Sequence, residues 1–170
     1  MNTKDRIGVV GSNGCGKTTL LRCIVGELKV DSRKIYRNDN VNWLYTPQNI
    51  QQFFKKATLI ENMSDVRDET TTRQFLGAAK IRKDKAIQPI ENLSCGELMR
   101  VIIVYTILSK VEFLIMDEST NHLDIESLEI FDKLLEEFPG SMLFVSYDRT
   151  FIAKNAERIF RIENGYLLLI

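Results

Sequence analysis

The stretch from Gly11 to Thr18, with the sequence GSNGCGKT, carries the residue types that a phosphate chain requires. It matches the pattern GxxxxGKS/T, in which glycines let the backbone turn so tightly that successive N–H groups point at phosphate oxygens. Lys17 would reach the β- and γ-phosphates, and the Thr18 hydroxyl would ligate Mg²⁺. A helix that begins near Lys17 would add the positive end of its dipole. This segment, the phosphate loop, therefore predicts a binding site for a nucleotide and magnesium.

Two adjacent carboxylates, Asp117 and Glu118, follow the apolar run Phe113–Met116. A run that is apolar on both faces is typical of a central parallel strand, and ligands bind at the carboxyl ends of such strands. At that position Asp117 would hold the Mg²⁺ that bridges the phosphates, and Glu118 would orient and polarise an attacking water. The pair predicts hydrolysis of the bound nucleotide.

The elements that must position these residues alternate between strands and helices. Short apolar runs predict strands at residues 7–10, 42–45, 113–116 and 142–145, and helical spacing predicts helices after the phosphate loop, near 98–108, at 126–138 and at 148–156. Two further strands flank Asn164-Gly165, which is a strong hairpin signal. The pattern predicts an α/β fold of the P-loop NTPase type, with a mainly parallel sheet flanked by helices and a C-terminal hairpin.

The segment at residues 50–93 differs from the rest of the chain. It is polar and charged, with short amphipathic turns and no convincing strand. We expect a small helical subdomain at 50–93, inserted into a single domain that spans residues 1–170.

Composition excludes several other classes of protein. Lys+Arg and Asp+Glu both number 23, so the formal net charge is zero, which argues against a module that binds nucleic acid through bulk positive charge. No apolar run reaches the roughly 18–20 residues that cross a bilayer, and the polar segment from Met1 to Arg6 lacks the features of a signal peptide. Three cysteines without a CxxC pair, and one histidine, argue against a disulfide framework or a zinc site and favour the reducing cytoplasm.

Further motifs resemble those of the ATP-binding-cassette (ABC) ATPases. Residues 93–97, LSCGE, resemble the family's LSGGQ/E signature, and Gln48 in YTPQ matches its Q-loop. Leu123-Asp124 matches the D-loop, and residues 145–149, VSYDR, stand where the family has its switch histidine. Together with the phosphate loop and the carboxylate pair, these motifs follow the family's order over nearly the whole chain.

Two longer strings resemble the F subfamily. Residues 118–124, ESTNHLD, are close to its EPTNHLD, and residues 145–151, VSYDRTF, are close to its VSHDRxF. That subfamily lacks transmembrane domains, and its better-known members act on the ribosome during translation, some of them protecting it from antibiotics. Only 46 positions separate Gln48 from Ser94, too few for the long helical arm of a first cassette. The resemblance is therefore to a second, C-terminal cassette or to a fragment.

The resemblance implies a role for each matching residue. The residues that would wrap the triphosphate are Gly11, Ser12, Asn13, Gly14, Cys15, Gly16, Lys17, Thr18 and Thr19. Gln48 would contact Mg²⁺ or the lytic water, with Thr18 and Asp117 as the other metal ligands. The implied catalytic residues are Glu118, Gln48 and Tyr147, and the implied cofactors are ATP and Mg²⁺.

A second cassette is the implied partner. Ser94 and Gly96 would complete the γ-phosphate site of an opposing cassette, and Asp124 would contact that cassette's phosphate loop. Each site would thus be built from two cassettes arranged head to tail.

Several positions depart from the family pattern. Tyr147 replaces the switch histidine, and a phenol with a pKa near 10 cannot reproduce the geometry or charge of an imidazole, so we expect weak hydrolysis by the isolated chain. Cys95 replaces the first signature glycine, where a positive φ would strain a residue with a Cβ. No aromatic precedes the phosphate loop to stack on adenine, and Tyr36 and Trp43 are expected to pack in the sheet.

Two alternative functions stay open from the sequence. One is the motor subunit of a membrane transporter, which would bind transmembrane subunits through a groove beside the Q-loop. The other, suggested by Tyr147, is a weakly hydrolysing or non-hydrolysing switch that binds ATP in order to dimerise.

Overall fold

The computed structural model describes residues 4–32, 34–118 and 123–170. In this part of the chain six strands form one sheet in the order β2-β3-β4-β1-β5-β6. The strands are β1 (Arg6–Val10), β2 (Trp43–Thr46), β3 (Phe113–Asp117), β4 (Ser141–Val145), β5 (Arg158–Glu163) and β6 (Tyr166–Leu169). Neighbouring strands are parallel except for β5 and β6, which are antiparallel. The mainly parallel sheet predicted from the sequence is confirmed.

Helices occupy most of the remaining described residues. The α-helices are α1 (Lys17–Val25), α2 (Leu59–Met63), α3 (Glu69–Ala78), α4 (Cys95–Leu108), α5 (Ile125–Glu137) and α6 (Arg149–Asn155). Between β2 and α4 the helices are short. Here α2 and α3 are accompanied by 3-10 helices at Ile50–Phe53, Lys83–Ile87 and Ile90–Asn92. Side-chain caps begin several of these short helices, such as the capping box between Thr58 and Glu61 at the start of α2.

The chain divides into two compact units, which we call the sheet unit and the helical unit. The sheet unit comprises residues 1–48, 112–119 and 139–170, and the helical unit comprises residues 49–111 and 120–138. The strands, α1 and α6 belong to the sheet unit, and α2 to α5 belong to the helical unit.

The centre of the sheet is buried on both faces, as the apolar sequences of its strands predict. Leu114, Ile115 and Met116 of β3 are each no more than 2% exposed, and every residue of β4 is buried. Strand pairing aligns Val9 of β1 and Asp117 of β3 with Val145 of β4. Because these strands are parallel, the segments that follow them emerge at the same edge of the sheet.

A type I′ turn connects β5 to β6. Asn164 and Gly165 both adopt positive φ, 49° and 78°, as such a two-residue turn requires. The hairpin predicted from the Asn-Gly pair is confirmed.

Candidate functional site

The phosphate loop runs from the end of β1 to the first turn of α1. Gly14 and Gly16 have φ of 76° and 104°, which glycine adopts without the steric cost that a Cβ would bring. Gly16 is the residue that precedes α1, and no acidic side chain lies in the first turn of this helix. The N–H groups at the start of α1 therefore point toward the loop without a competing side-chain anion.

Side chains along the loop differ in their exposure. Ser12, Asn13, Gly14 and Thr19 are exposed, whereas Cys15 packs against the apolar core that contains Val9. The N–H of Cys15 donates to Ser12 O at 3.3 Å. The thiol of Cys15 is therefore part of the support for the loop.

Lys17 is folded back over its own loop and is only 4% exposed. Its Nζ donates to Gly11 O at 3.0 Å and to Ser12 O at 2.9 Å. The same atom lies 4.5 Å from the centroid of the Tyr147 ring, within the range of a cation–π interaction. The structure thus brings together the lysine predicted to bind phosphate and the residue at the predicted switch position.

Asp117 is fully buried at the end of β3, next to groups that donate to it. The Thr18 hydroxyl hydrogen-bonds to its carboxylate, and Tyr45 Oη donates to Asp117 Oδ2 at 3.4 Å. Burial raises the pKa of the Asp117 carboxyl above its usual range; the Thr18 hydrogen bond opposes that rise, and the charge of Glu118 adds to it. Burial, and then the charge of Asp117, raise the pKa of Tyr45 to about 12.

The residues around Asp117 fit a magnesium ion. Asp117 Oδ1 is buried and has no hydrogen-bond partner among the described residues. A buried carboxylate oxygen without a partner, beside the hydroxyl of Thr18, is the hard oxygen ligand set that Mg²⁺ prefers.

Glu118 follows β3 and is held from two sides. Its carboxylate Oε2 accepts a hydrogen bond from Gln48 Nε2 at 2.7 Å, and its N–H donates to Val145 O at 3.0 Å. Its φ of 53° lies in the left-handed region, which costs a residue with a Cβ on the order of 1–3 kcal/mol. The Q-loop glutamine and the second carboxylate are therefore a directly bonded pair.

Ser94 and the other residues assigned to an opposing site lie in the helical unit. Ser94 precedes α4 and forms a capping box with Glu97: Ser94 Oγ accepts from Glu97 N at 3.2 Å, and Glu97 Oε2 accepts from Ser94 N at 2.9 Å. Cys95 is the first residue of α4 and has a negative, helical φ. The strain expected at Cys95 is thus wrong, because a helix start does not need a glycine there.

Gly96 and Asp124 meet at one residue, Ser127 of α5. A Cβ on Gly96 would collide with the Ser127 hydroxyl, so only glycine leaves room for this approach. Asp124 Oδ1 accepts from Ser127 N at 2.7 Å, and hydrogen bonds from Ser127 lower the pKa of Asp124. The signature and D-loop residues are therefore joined through the first turn of α5.

Sequence reasoning missed Tyr45 as a site residue and misplaced two aromatics. The phenol of Tyr45 lies next to Asp117 because β2 aligns with β3, which pairs Tyr45 with Ile115. No sequence motif indicates this contact. Tyr36 is 89% exposed and lies outside the strands, so the expectation that it packs in the sheet is wrong. Trp43 does lie in the sheet, at its edge, and is 40% exposed. His122 lies outside the described residues.

Comparison with protein families shows which family the chain belongs to. The model of the family described as "ABC transporter" matches residues 1–121. The chain is a member of the ABC transporter family. Among curated ABC proteins it is 37% identical over 163 residues to the probable ATP-binding protein YbiT of Escherichia coli O157:H7, covering 93% of the chain and 31% of that protein.

A relative named as an F family member confirms the resemblance to the F subfamily, and a solved structure shares the fold. The chain is 32% identical over 168 residues to ABC transporter F family member 5 of Arabidopsis thaliana, covering 96% of the chain and 24% of that protein. It superposes with a TM-score of 0.74 and 26% identity on a structure described as the complex of archaeal ribosomal stalk protein aP1 and archaeal ribosome recycling factor aABCE1, covering 95% of the chain and 33% of the matched chain.

The chain thus spans about a third or less of the length of each of these three relatives. Across the described residues, none of its helices has the length and apolar character needed to cross a membrane.

Proposed function

We propose that this chain is one cassette of an F-type ABC ATPase, which binds Mg-ATP and hydrolyses it when paired head to tail with a second cassette. The observation that carries the proposal is the grouping of three features within the sheet unit. These are the loop with Lys17, the Asp117–Thr18 pair, and the hydrogen bond between Gln48 and Glu118. Each feature supplies one requirement of phosphoryl transfer: an anion cradle, a cation site and a group that positions water.

Nucleotide binding would use the backbone of residues 11–16 and the start of α1. Lys17 would turn one of its N–H groups from the loop carbonyls or the ring toward the phosphates. Thr18 and Asp117, with Gln48, would hold Mg²⁺, which when bound neutralises charge on the β- and γ-phosphates.

Glu118 would act on the attacking water. Its carboxylate is an acceptor only, so it can accept a proton from water as that water attacks. The 2.7 Å hydrogen bond from Gln48 engages one carboxylate oxygen of Glu118 and thereby orients the carboxylate group. Gln48 therefore serves as a positioning residue for the carboxylate as well as a candidate metal ligand.

Ser94 would serve the site of the opposing cassette. In the capping box its oxygen accepts from Glu97 N, so its O–H proton remains available for donation to a phosphate oxygen. The N-terminus of α4, which spans 14 residues, would add its dipole to this contact. Gly96 and Asp124 would support this face through their shared contact with Ser127.

The whole protein is proposed to act on the ribosome during translation, in the manner of the F-type ABC proteins, including those that protect the ribosome from antibiotics. Support comes from the F family member among its relatives and from the aABCE1 structure, which was determined with a ribosomal stalk protein. A cytoplasmic location suits the cysteines at positions 15, 23 and 95, all of which are free thiols.

A second candidate is an ATP-dependent dimerisation switch that hydrolyses ATP slowly. The contact between the Tyr147 ring and Lys17 favours it, because the switch position then provides no imidazole and also engages the phosphate-binding lysine. The two candidates share nucleotide binding and differ in turnover.

Calorimetric titration with ATP and Mg²⁺ tests the shared part. Lys17→Ala should abolish measurable binding, whereas Lys29→Ala, which removes an exposed lysine just beyond α1, should leave it unchanged. Equal affinity of Lys17→Ala and the unaltered protein would contradict the proposed site.

A further inference from the structure

The ammonium group of Lys17 has a partner for each of its three N–H bonds. Two of the partners are the carbonyls of Gly11 and Ser12, at 3.0 and 2.9 Å, and the third is the face of the Tyr147 ring, with its centroid at 4.5 Å. Because the side chain is only 4% exposed, water cannot replace any of these partners without a rearrangement. The lysine is therefore fully engaged before any phosphate arrives.

The Tyr147 ring is the partner that can leave most easily. The two carbonyls belong to the loop backbone, whereas Tyr147 is 42% exposed. Its backbone is fixed, because Asp148 N donates to Ser146 Oγ at 3.1 Å and Asp148 caps α6. Departure of the ring therefore requires only rotation of the side chain.

A cavity beside the ring gives it space to rotate into. This cavity, of about 830 Å³, is lined by Tyr147 itself, by Ser12 of the phosphate loop, and by Arg149, Ile162 and Asn164. The half-exposed ring therefore borders open space into which it can rotate away from Lys17.

We propose that Tyr147 is a specificity-determining residue that lowers the affinity of this site for nucleoside triphosphates relative to diphosphates. The inference rests on the proposed nucleotide site and adds a role for its aromatic neighbour. The two loop carbonyls take two of the ammonium's three donors and the ring takes the third, so a phosphate oxygen can accept from Lys17 only by displacing one of these partners. We infer that the β-phosphate, which a diphosphate also carries, takes a donor released from a loop carbonyl. The γ-phosphate of a triphosphate would then take the donor that faces the ring and would displace the ring.

The size of the effect follows from the strength of the contact that is lost. A cation–π contact of this kind changes an equilibrium constant by about 3- to 30-fold. Removal of the ring should therefore raise the affinity for a triphosphate by about that factor and change the affinity for a diphosphate by less than about twofold.

Calorimetric titration of the full chain with Mg-ADP and with Mg-AMP-PNP, a non-hydrolysable triphosphate, tests this. Tyr147→Leu should raise the ratio of triphosphate to diphosphate affinity by about 3- to 30-fold. Tyr147→Phe keeps the ring and should keep the ratio of the unaltered protein. The proposal is overturned if Tyr147→Leu leaves the ratio unchanged, or if Tyr147→Phe changes it as much as Tyr147→Leu does.

Tyr166→Leu is the matched control, because Tyr166 is 72% exposed on β6 and its replacement should leave both affinities unchanged. If Tyr147→Leu does not fold, NMR of the unaltered protein decides instead: the ε-methylene protons of Lys17 should lose their ring-current shift with AMP-PNP and retain it with ADP. Retention with both ligands overturns the proposal. Absence of binding by the unaltered protein would contradict the proposed function itself, whereas normal binding with an unchanged ratio contradicts only the role of Tyr147.

Discussion

Gln48 Nε2 donates a 2.7 Å hydrogen bond to Glu118 Oε2, so the residue two positions after β2 directly orients the carboxylate that follows β3. Because Gln48 belongs to the segment that follows β2, movement of that segment would change the hydrogen bond that Glu118 accepts. Loss of this hydrogen bond would remove a direct constraint on the direction of the carboxylate.

Glu118→Gln should separate binding from turnover. The amide keeps the size and the hydrogen-bonding capacity of the side chain but cannot accept a proton from water, so Mg-ATP should still bind while hydrolysis stops. The expected result on a sizing column with ATP is accumulation of a paired species that the unaltered protein does not retain.

Hydrolysis by Glu118→Gln at the rate of the unaltered protein would exclude Glu118 as the group that activates water. If the unaltered protein also retains the paired species, the slow switch is the better of the two proposed functions.

Asp117→Asn should stabilise the ligand-free protein while it removes the magnesium site. The pKa of Asp117 is raised in the folded state, so the folded protein binds a proton more readily than the unfolded chain does, and stability falls as the pH rises through that window. At pH 7 the variant lacks this buried charge, and we expect its free energy of unfolding to be higher by about 1 kcal/mol, which corresponds to about 2–4 °C in Tm.

Thermal unfolding without Mg²⁺, followed across pH, measures this gain. The difference between the two proteins should shrink as the pH falls through the raised pKa of Asp117 toward the usual carboxyl range near 4. Added Mg-ATP should raise the Tm of the unaltered protein and leave that of the variant where it was. A variant with a lower Tm at pH 7 would contradict the assignment of a destabilising charge.

Tyr45→Phe should shift the pH dependence of Mg-ATP binding. The phenol donates to Asp117 Oδ2 at 3.4 Å and thereby lowers the pKa of that carboxyl, and its own pKa of about 12 keeps it a donor throughout the neutral range. Without this donor the pKa of Asp117 rises further, so binding should be lost at a higher pH, by less than about one unit.

Calorimetry over a pH series checks the shift. Tyr105→Phe removes the hydroxyl of a tyrosine whose ring packs against Phe53 in the helical unit, and it should leave the profile in place. An unshifted profile for Tyr45→Phe would mean that the phenol does not influence Asp117.

Gly96→Ala should destabilise the fold, whereas Gly77→Ala should not. Both glycines lie within helices, but a Cβ at Gly96 would come within 2.5 Å of Ser127 Cβ, and a Cβ at Gly77 has no neighbour within 4 Å. We expect Gly96→Ala to lower the free energy of unfolding by about 1–3 kcal/mol and Gly77→Ala to raise it by up to about 1 kcal/mol. Denaturant unfolding of both variants measures the contrast, and equal effects would show that α4 and α5 separate freely at this point.

Much of the fold and of the candidate nucleotide site follows from local sequence. The path from β1 through the glycines to Lys17 is encoded within a dozen residues, and so is the placement of Asp117 after an apolar strand. The contacts that escaped prediction join residues distant in sequence: Lys17 meets Tyr147 only because β1 lies beside β4, and Tyr45 meets Asp117 only because β2 lies beside β3. The error at Cys95 has a different origin, because a family comparison suggested a glycine where the capping box needs only a helix start.

The division of the chain into two units has a consequence for its folding. The boundaries fall after residues 48, 111, 119 and 138, so the polypeptide passes between the units four times and neither unit is a continuous segment. A single cut or truncation cannot release either unit intact, and the ends of each inserted segment must be brought together before that unit can form. Formation of one unit therefore lowers the entropic cost of closing the loops of the other unit. For this reason we expect the two units to fold cooperatively, even though the contacts divide the chain in two.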